Sequence, residues 1–172
     1  MKFWKKIFLY SLILFLLLFN SGGIILIEKI NSENLNNAIK SLMYKSLNIE
    51  SIMYLNTDYL MNIDVYSESN LKNWMNIITN GYSLNSVDEY NTELYSMENK
   101  EITSDLKEKI TGERKEISNA KKGKKSFIIR TINNRRYAFV SSIVNLENRD
   151  FKLIISRDIQ HVYTERINNY KF

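Results

Sequence analysis

Few residues in this chain are of the types that carry out catalysis. One histidine and no cysteine are too few for a typical zinc or redox-metal site. The glycine spacings of nucleotide-binding loops do not occur. No G-x-S-x-G elbow accompanies His161, which we expect to be an ordinary surface residue. The sequence therefore predicts neither a cofactor nor an enzyme.

Two side chains are candidates for binding rather than catalysis. Arg130 lies within a run of β-branched and aromatic residues, where a guanidinium can hold an anionic ligand. Tyr137 lies in the next run of this kind. We name Arg130 and Tyr137 as candidate contacts for a small-molecule or peptide ligand, although an arginine in a strand is more often simply exposed.

The charge balance argues against a nucleic-acid partner. Three of the 24 Lys and Arg precede an apolar segment, so 21 face the 19 Asp and Glu in the rest of the chain. The local exception lies in a predicted solvated loop, residues 114–125, which contains Lys121, Lys122, Lys124 and Lys125. These lysines either contact anionic lipid heads or cell-wall polymers, or are simply solvated.

The strongest pattern is the uncharged run from residue 7 to 27. At about 1.5 Å per residue it spans roughly 30 Å, the thickness of a bilayer's hydrocarbon core. Lysines concentrate before it, so the positive-inside rule assigns residues 1–6 to the cytoplasm and the main domain to the outside. The sequence thus predicts a single-pass cell-membrane protein in contact with lipid. The alternative is a cleaved secretory signal, which would also export the domain.

A long helix is predicted to follow the span, from residue 28 to 63. Most positions spaced alternately by four and three along it are apolar, and they form a heptad-like stripe. The stripe consists of Leu35, Ile39, Leu42, Ile49, Met53 and Leu60. It packs on the chain's own domain, on a second copy in a homodimer, or on both along different segments. Met43, Leu47 and Tyr54 widen it, which favours coverage of a core.

The next segments predict a second helix over 69–79 and two short strands, 86–90 and 93–97, around Asn91-Thr92. A short helix is predicted over 105–110.

The clearest strands are predicted over 127–132, 135–143 and from Phe151 onward. Asn133-Asn134 forms the tight turn between the first two, because Asn tolerates positive φ. Asp158 then caps the start of a last amphipathic helix.

This order of elements predicts an α+β fold, with a transmembrane helix that continues into a long helix, an antiparallel sheet of about five strands, and a C-terminal exit helix. We divide the exported part into a helical juxtamembrane segment (28–80), a sheet domain (81–157) and an exit helix (158–172). The exit helix looks cut before a second membrane span.

Two stretches resemble the extracytoplasmic sensor region of membrane-bound histidine kinases from Gram-positive, AT-rich bacteria. SVDEYNTELYSMENKEI, from Ser86 to Ile102, is similar to a hairpin of those domains. RRYAFVSSIVNLENRDFKLIISRDIQHVYTERI, from Arg135 to Ile167, is similar to their closing meander, where a strand ends in Arg-Asp-Ile and enters a helix. The short basic start and anchor fit the same family. The resemblance implies a PAS-like or Cache-like sheet.

The resemblance also implies a function, in which a ligand or an envelope stress shifts the long helix and the shift crosses the membrane within a homodimer. The histidine box and ATP-binding motifs of a kinase do not occur in these 172 residues. Contact with a response regulator would therefore come only through a kinase domain outside them. Two alternatives stay open: a single-span envelope protein whose exported domain binds a protein partner, and an anchored hydrolase without a recognisable site.

Overall fold

A computed structural model describes residues 3–56, 67–83, 90–108 and 110–170. Within these ranges the protein is α+β, as the sequence predicts, with a long N-terminal helix, a five-stranded antiparallel sheet and a C-terminal helix. The chain divides into two compact units. One comprises residues 1–37 with 161–172, and the other residues 38–160.

The first helix, α1, extends from Phe3 to Leu55. An 18-residue window within it has a mean hydropathy of 2.2, and none of that window is buried in the protein. By length and composition, α1 can therefore cross a membrane. The predicted end of the helix near Ile63, and with it Leu60 of the stripe, lies outside the described residues.

The second helix, α2, extends from Glu68 to Ser83 and confirms the prediction for 69–79. Four apolar side chains at helical spacing are buried: Leu71, Trp74, Met75 and Ile78. This spacing places them on one face, as expected of a helix that packs on a domain. The helix lies against the strand Glu101–Ser104.

The first strands differ from the prediction. Strand β1 runs without a turn from Tyr90 to Tyr95, so the predicted hairpin around Asn91-Thr92 is wrong. The turn follows at Ser96, whose hydroxyl accepts hydrogen bonds from the backbone N–H groups of Glu98 (3.2 Å) and Lys100 (3.3 Å). Strand β2 then covers Glu101–Ser104. Residues 86–89 of the predicted first strand lie outside the described residues.

The connection to the next strand also differs from the prediction. The described residues between 105 and 110 are not helical, and a one-turn helix, α3, occupies Lys115–Ser118 within the predicted loop. Leu106 and Ile110 are four residues apart, which imitates a helical stripe. Both instead pack on the core from an irregular segment.

Three long strands confirm the predicted meander: β3 (Ser126–Ile132), β4 (Arg135–Leu146) and β5 (Arg149–Asp158). Asn133 and Asn134 have positive φ (48° and 63°), as predicted for the β3–β4 turn. The sheet order is β2-β1-β5-β4-β3, so β5 is the central strand.

Alternating side chains of the sheet are buried on opposite faces. On the face that we call the loop side, Leu106, Ile110 and Ile117 pack on a cluster of strand residues: Tyr95, Ile132, Tyr137, Phe139 and Ile154. The opposite face, the helix side, includes the buried strand residues Leu94, Ala138, Val140, Leu153 and Ile155.

Helix α4, Gln160–Asn169, follows the central strand directly. The Oδ1 atom of Asp158 accepts a hydrogen bond from the backbone N–H of Gln160 (2.7 Å), which confirms the predicted cap.

Candidate functional site

The two predicted ligand contacts are neighbours across β3 and β4, since Arg130 pairs in register with Tyr137. Neither has the expected environment. The Arg130 guanidinium donates to both carboxylate oxygens of Glu116 (3.0 and 2.8 Å), so its charge is already paired within the protein. Tyr137 is buried beside Phe139, with 6.3 Å between ring centroids. His161 is exposed, as predicted.

Arg130 is the outer member of a larger charge network on the loop side. At its centre Arg114 forms a two-pronged ion pair with Glu93 (Nη2–Oε1 2.9 Å, Nη1–Oε2 3.2 Å) and donates through Nε to Glu116. The carboxylates of Glu93 and Glu116 are each only 1% exposed. Two buried anions are thus held between two cations, the arrangement that makes buried charge tolerable.

Aromatic side chains complete this network. The hydroxyl of Tyr95 donates to Glu93 (2.8 Å), and the Arg114 guanidinium lies over the rings of Tyr95 (5.7 Å) and Phe139 (5.8 Å). Burial, and then the charge of Glu93, raise the pKa of Tyr95, so its hydroxyl remains a donor. Burial lowers the pKa of Arg114, but Glu93, Tyr95 and Glu116 together raise it by more, so the guanidinium stays charged. The network fixes the 114–118 segment on the sheet.

A second polar group joins α1 to the helix side, and we call it the Glu50 latch. The carboxylate of Glu50 accepts hydrogen bonds from Lys125 Nζ (2.6 Å) and from the Ser142 hydroxyl on β4. Lys125 also donates to the hydroxyl of buried Ser46 (2.7 Å). The Lys125 and Glu50 side chains are both 16% exposed, so the pair is mostly shielded from water.

Beside the latch lies a cleft of about 600 Å³, formed entirely by residues of the second unit. Six residues of α1 line one wall: Lys40, Met43, Tyr44, Leu47, Glu50 and Tyr54. The other wall consists of Gly123, Lys124, Lys125, Ser142 and Ile143. Leu47 and Tyr54 are about half exposed, so the expectation that they cover the core is wrong.

The second wall is shaped by the chain before β3. Gly123 has φ of 70°, a left-handed conformation that favours glycine, and it turns the chain between Lys121 and Lys124. The backbone N–H of Ile143 donates to the carbonyl of Lys121 (3.3 Å), which ties this turn to β4. Lys124 and Lys125 are thereby held at the edge of the cleft.

The predicted stripe of α1 is largely buried. Its members Ile39, Leu42, Ile49 and Met53 are buried and Leu35 is half-buried. The helix lies on the helix side of the sheet, where Ser41 also bonds Tyr90 (hydroxyl oxygens 3.0 Å apart). These observations favour packing on the chain's own domain for this part of the stripe. A homodimer and a role in signalling stay predictions.

In the first unit, α4 is bonded to α1 just after the apolar run. Arg166 Nη2 donates to Glu28 Oε1 (2.9 Å), and the Tyr170 hydroxyl donates to the same carboxylate. One turn further along, Asn169 Nδ2 donates to Oδ1 of buried Asn31 (3.4 Å). We call this group the Glu28 clamp.

Neither the charge network nor the cleft was predicted from the sequence. Glu93, Arg114 and Glu116 lie in segments assigned to a strand and a loop, without a spacing that marks them as partners. The cleft brings α1 together with residues about eighty positions later, for which the sequence holds no local signal; Ser46 and Lys125 are 79 apart. The one feature of the sequence that pointed to this region is the basic loop, residues 114–125, which contributes Lys124 and Lys125 to the cleft.

Among the described residues, no group of three His, Asp or Glu side chains is arranged to hold a metal ion. Comparison with protein-family models, curated proteins and solved structures finds no match to this chain. The features of the molecule that bear on its function are therefore the Glu50 latch, the Glu28 clamp and the cleft.

Proposed function

We propose that this chain is the signal-receiving part of a membrane-bound bacterial sensor histidine kinase, with its sheet domain outside the cytoplasm. The observation that carries the proposal is the Glu28 clamp. The central strand β5 continues through Asp158 into α4, and α4 bonds Glu28 and Asn31 directly after the apolar run of α1. A change at β5 therefore has a short covalent and hydrogen-bonded route to the membrane segment.

The sheet order supports this proposal by analogy of fold. The five-stranded antiparallel sheet, in the order β2-β1-β5-β4-β3, is compatible with the PAS-like sheet that the sequence resemblance implies. Such sheets carry many functions, so the order alone assigns none. The orientation rests on Lys2, Lys5 and Lys6 before the apolar run, which the positive-inside rule assigns to the cytoplasm.

In the proposed mechanism, a signal favours one of two discrete arrangements of α1 against the helix side of the sheet. Packed helices have few alternative positions, so a small energetic bias becomes a defined shift. The buried stripe from Ile39 to Met53 would slide or rotate, and the Glu50 latch would set which arrangement is favoured. A homodimer would carry the shift to a kinase domain that contacts the response regulator.

The gene sequence beyond the codon for Phe172 provides the first test. A second apolar segment followed by a histidine box and an ATP-binding domain is the expected result. A stop codon with no kinase remnant in another reading frame would refute the kinase assignment.

Sidedness provides the second test, and the absence of cysteine allows single-cysteine variants. Ser118→Cys, exposed beside the loop side, should react with a membrane-impermeant maleimide in intact cells, whereas Phe3→Cys should react only after permeabilisation. Ser118→Cys that is shielded in intact cells, or that is released into the medium on a cleaved product, would overturn the proposed topology.

A second candidate function is a single-span envelope protein whose exported domain binds a protein partner. The exposed aromatic and aliphatic side chains of the cleft, Tyr44, Leu47 and Tyr54, favour it, because exposed apolar surface often marks an interaction site. A stop codon after Phe172 would leave this candidate as the better one.

A further inference from the structure

We propose that the cleft beside the Glu50 latch is a binding site for a small amphipathic anion. An apolar ring or short chain would lie along α1, and a carboxylate, sulfonate or phosphate would meet the ammonium groups of Lys40 and Lys124. This site does not depend on the proposed signalling role, since it is formed by side chains of the second unit whatever the output of the protein.

The size of the cleft suits a small molecule. Its volume of about 600 Å³ lies within the range of roughly 300–1,000 Å³ that is usual for small-molecule sites. Its walls come from one helix and from a strand with an adjoining turn, and the turn is tied to β4 through Ile143. A site on such elements is largely formed before the ligand arrives, which limits the entropy cost of binding.

The apolar part of the ligand is indicated by the helix wall. Met43, Tyr44 and Leu47 project along one side of α1, and Tyr44 and Leu47 remain well exposed in this structure. Burial of such surface is favourable by about 25 cal/mol per Å². Aromatic rings in the wall also favour a flat ligand, because stacked rings gain energy beyond the area they bury.

The charge of the ligand is indicated by the numbers of positive and negative side chains that line the cleft. Glu50 is the single carboxylate in the lining, and Lys125 and Ser142 already satisfy it. Lys40 and Lys124 are exposed and have no carboxylate partner among the described residues. The lining thus carries two unpaired positive charges beside an apolar wall, which favours anions and disfavours cations of the same shape.

The test uses the full chain in nanodiscs of zwitterionic lipid and measures how fast an introduced thiol is alkylated by a maleimide. Leu47→Cys places the thiol inside the cleft, and Asn48→Cys places one on an exposed side of the same helix that does not line the cleft. The probes are 2-naphthoate and 2-naphthamide, which share a ring system and differ in charge. Naphthoate should slow alkylation of Leu47→Cys severalfold at concentrations where naphthamide has little effect, and alkylation of Asn48→Cys should be unaffected.

The lysines are tested in the Leu47→Cys background. Lys40→Gln with Lys124→Gln should raise the naphthoate concentration needed for half-protection about tenfold, since about 1.4 kcal/mol is lost. The matched control, Lys72→Gln with Lys115→Gln, removes two exposed lysines elsewhere and should change nothing.

Three results would overturn the proposal. They are equal protection by both probes, protection that survives loss of Lys40 and Lys124, and protection of Asn48→Cys to the same degree. A fourth would assign the cleft to another occupant: if Leu47→Cys forms disulfide-linked dimers on mild oxidation and is shielded without any probe, the cleft holds a second copy of the chain. None of these readouts involves topology or phosphorylation, so the proposed function stands or falls separately.

Discussion

The two faces of the sheet are covered by different chemistry. On the loop side, the irregular segment around α3 is fixed by a network in which Arg114 and Arg130 pair with buried Glu93 and Glu116. On the helix side, α1 is held mostly by apolar side chains such as Leu42 and those near it in the stripe, with the Glu50 latch as one polar contact.

This contrast indicates which covering of the sheet is able to move. Charged hydrogen bonds are directional and are satisfied in one geometry, so the loop side resists displacement. Apolar burial has no preferred direction, so a second discrete arrangement of a packed helix can bury similar apolar area. A shift of α1 over the helix side would therefore cost little beyond the latch, which is what the proposed signalling mechanism requires.

The largest effect is expected from Arg114→Ala. The variant leaves two buried carboxylates without their shared partner, which should cost about 3–5 kcal/mol of unfolding free energy. The fluorescence of buried Trp74 during urea unfolding reports this, in a Trp4→Phe background of the full chain in micelles. Lys115→Ala, an exposed neighbour, is the control. Equal stability of the two variants would show that the loop side is not held by charge.

A comparison of two leucines on the same helix tests the helix side. Leu42 is 1% exposed and Leu47 is 46% exposed. Leu42→Ala should lower the unfolding free energy by about 2–5 kcal/mol, because it removes buried methyl groups and leaves a cavity. Leu47→Ala should change it by less than about 0.5 kcal/mol. If the two losses were similar, the cleft wall would be covered in solution and the assigned packing of α1 would be wrong.

The sequence was sufficient where local chemistry decides the structure. Asn133-Asn134 forms the tight turn and Asp158 forms the helix cap that their side chains favour. The spacing of the apolar residues around Trp74 is enough to predict α2. It was insufficient where turn-forming residues are common. Asn91-Thr92 has the composition of a turn in an Asn-rich chain but lies within β1, whereas the turn forms at Ser96, whose hydroxyl accepts hydrogen bonds from two backbone N–H groups.

The candidate sites show the same limit at longer range. The sequence identifies Arg130 as a charge in a strand, but its partner Glu116 lies in a segment predicted to be solvated, so the sequence does not indicate the pairing. Likewise Leu47 and Tyr54 have the spacing of core residues, and only the position of the sheet decides that they face the cleft. Periodicity identifies apolar faces, but the choice of which face is buried depends on the tertiary partner.

Loss of the Glu50 latch should lower the unfolding free energy by less than Arg114→Ala or Leu42→Ala. Glu50→Gln keeps an acceptor for Ser142 and removes the charge that pairs with Lys125, which should cost about 1–2 kcal/mol. Hydrogen exchange of amides in α1 should also become faster near Ser46, because the helix opens more readily. Glu33→Gln, exposed on the same helix, is the control. Unchanged exchange would remove the latch from the proposed mechanism.

The smallest effect is expected beside the turn between β4 and β5, where the carboxylate of Asp150 accepts hydrogen bonds from Asn145 Nδ2 (2.6 Å) and Lys122 Nζ (3.0 Å). These hydrogen bonds lower the pKa of Asp150 below its usual value of 3.8. A carboxyl with a lowered pKa stabilises the folded state above the ordinary value, and that contribution is lost as pH falls through the lowered one.

Asp150→Asn should therefore be slightly less stable than the wild type near neutral pH, and the difference should disappear as the medium becomes strongly acidic. Urea midpoints measured across this range provide the comparison, with exposed Glu147→Gln as the control in the same turn. Because the Lys122–Asp150 pair is solvated, added salt should also reduce the difference, which is not expected for the shielded charges around Arg114. A difference in stability that did not depend on pH would mean that Asp150 stabilises the turn through its shape and hydrogen bonds rather than its charge. The exposed Lys122–Asp150 pair would then contribute no measurable ionic stabilisation, unlike the buried pairs of Arg114.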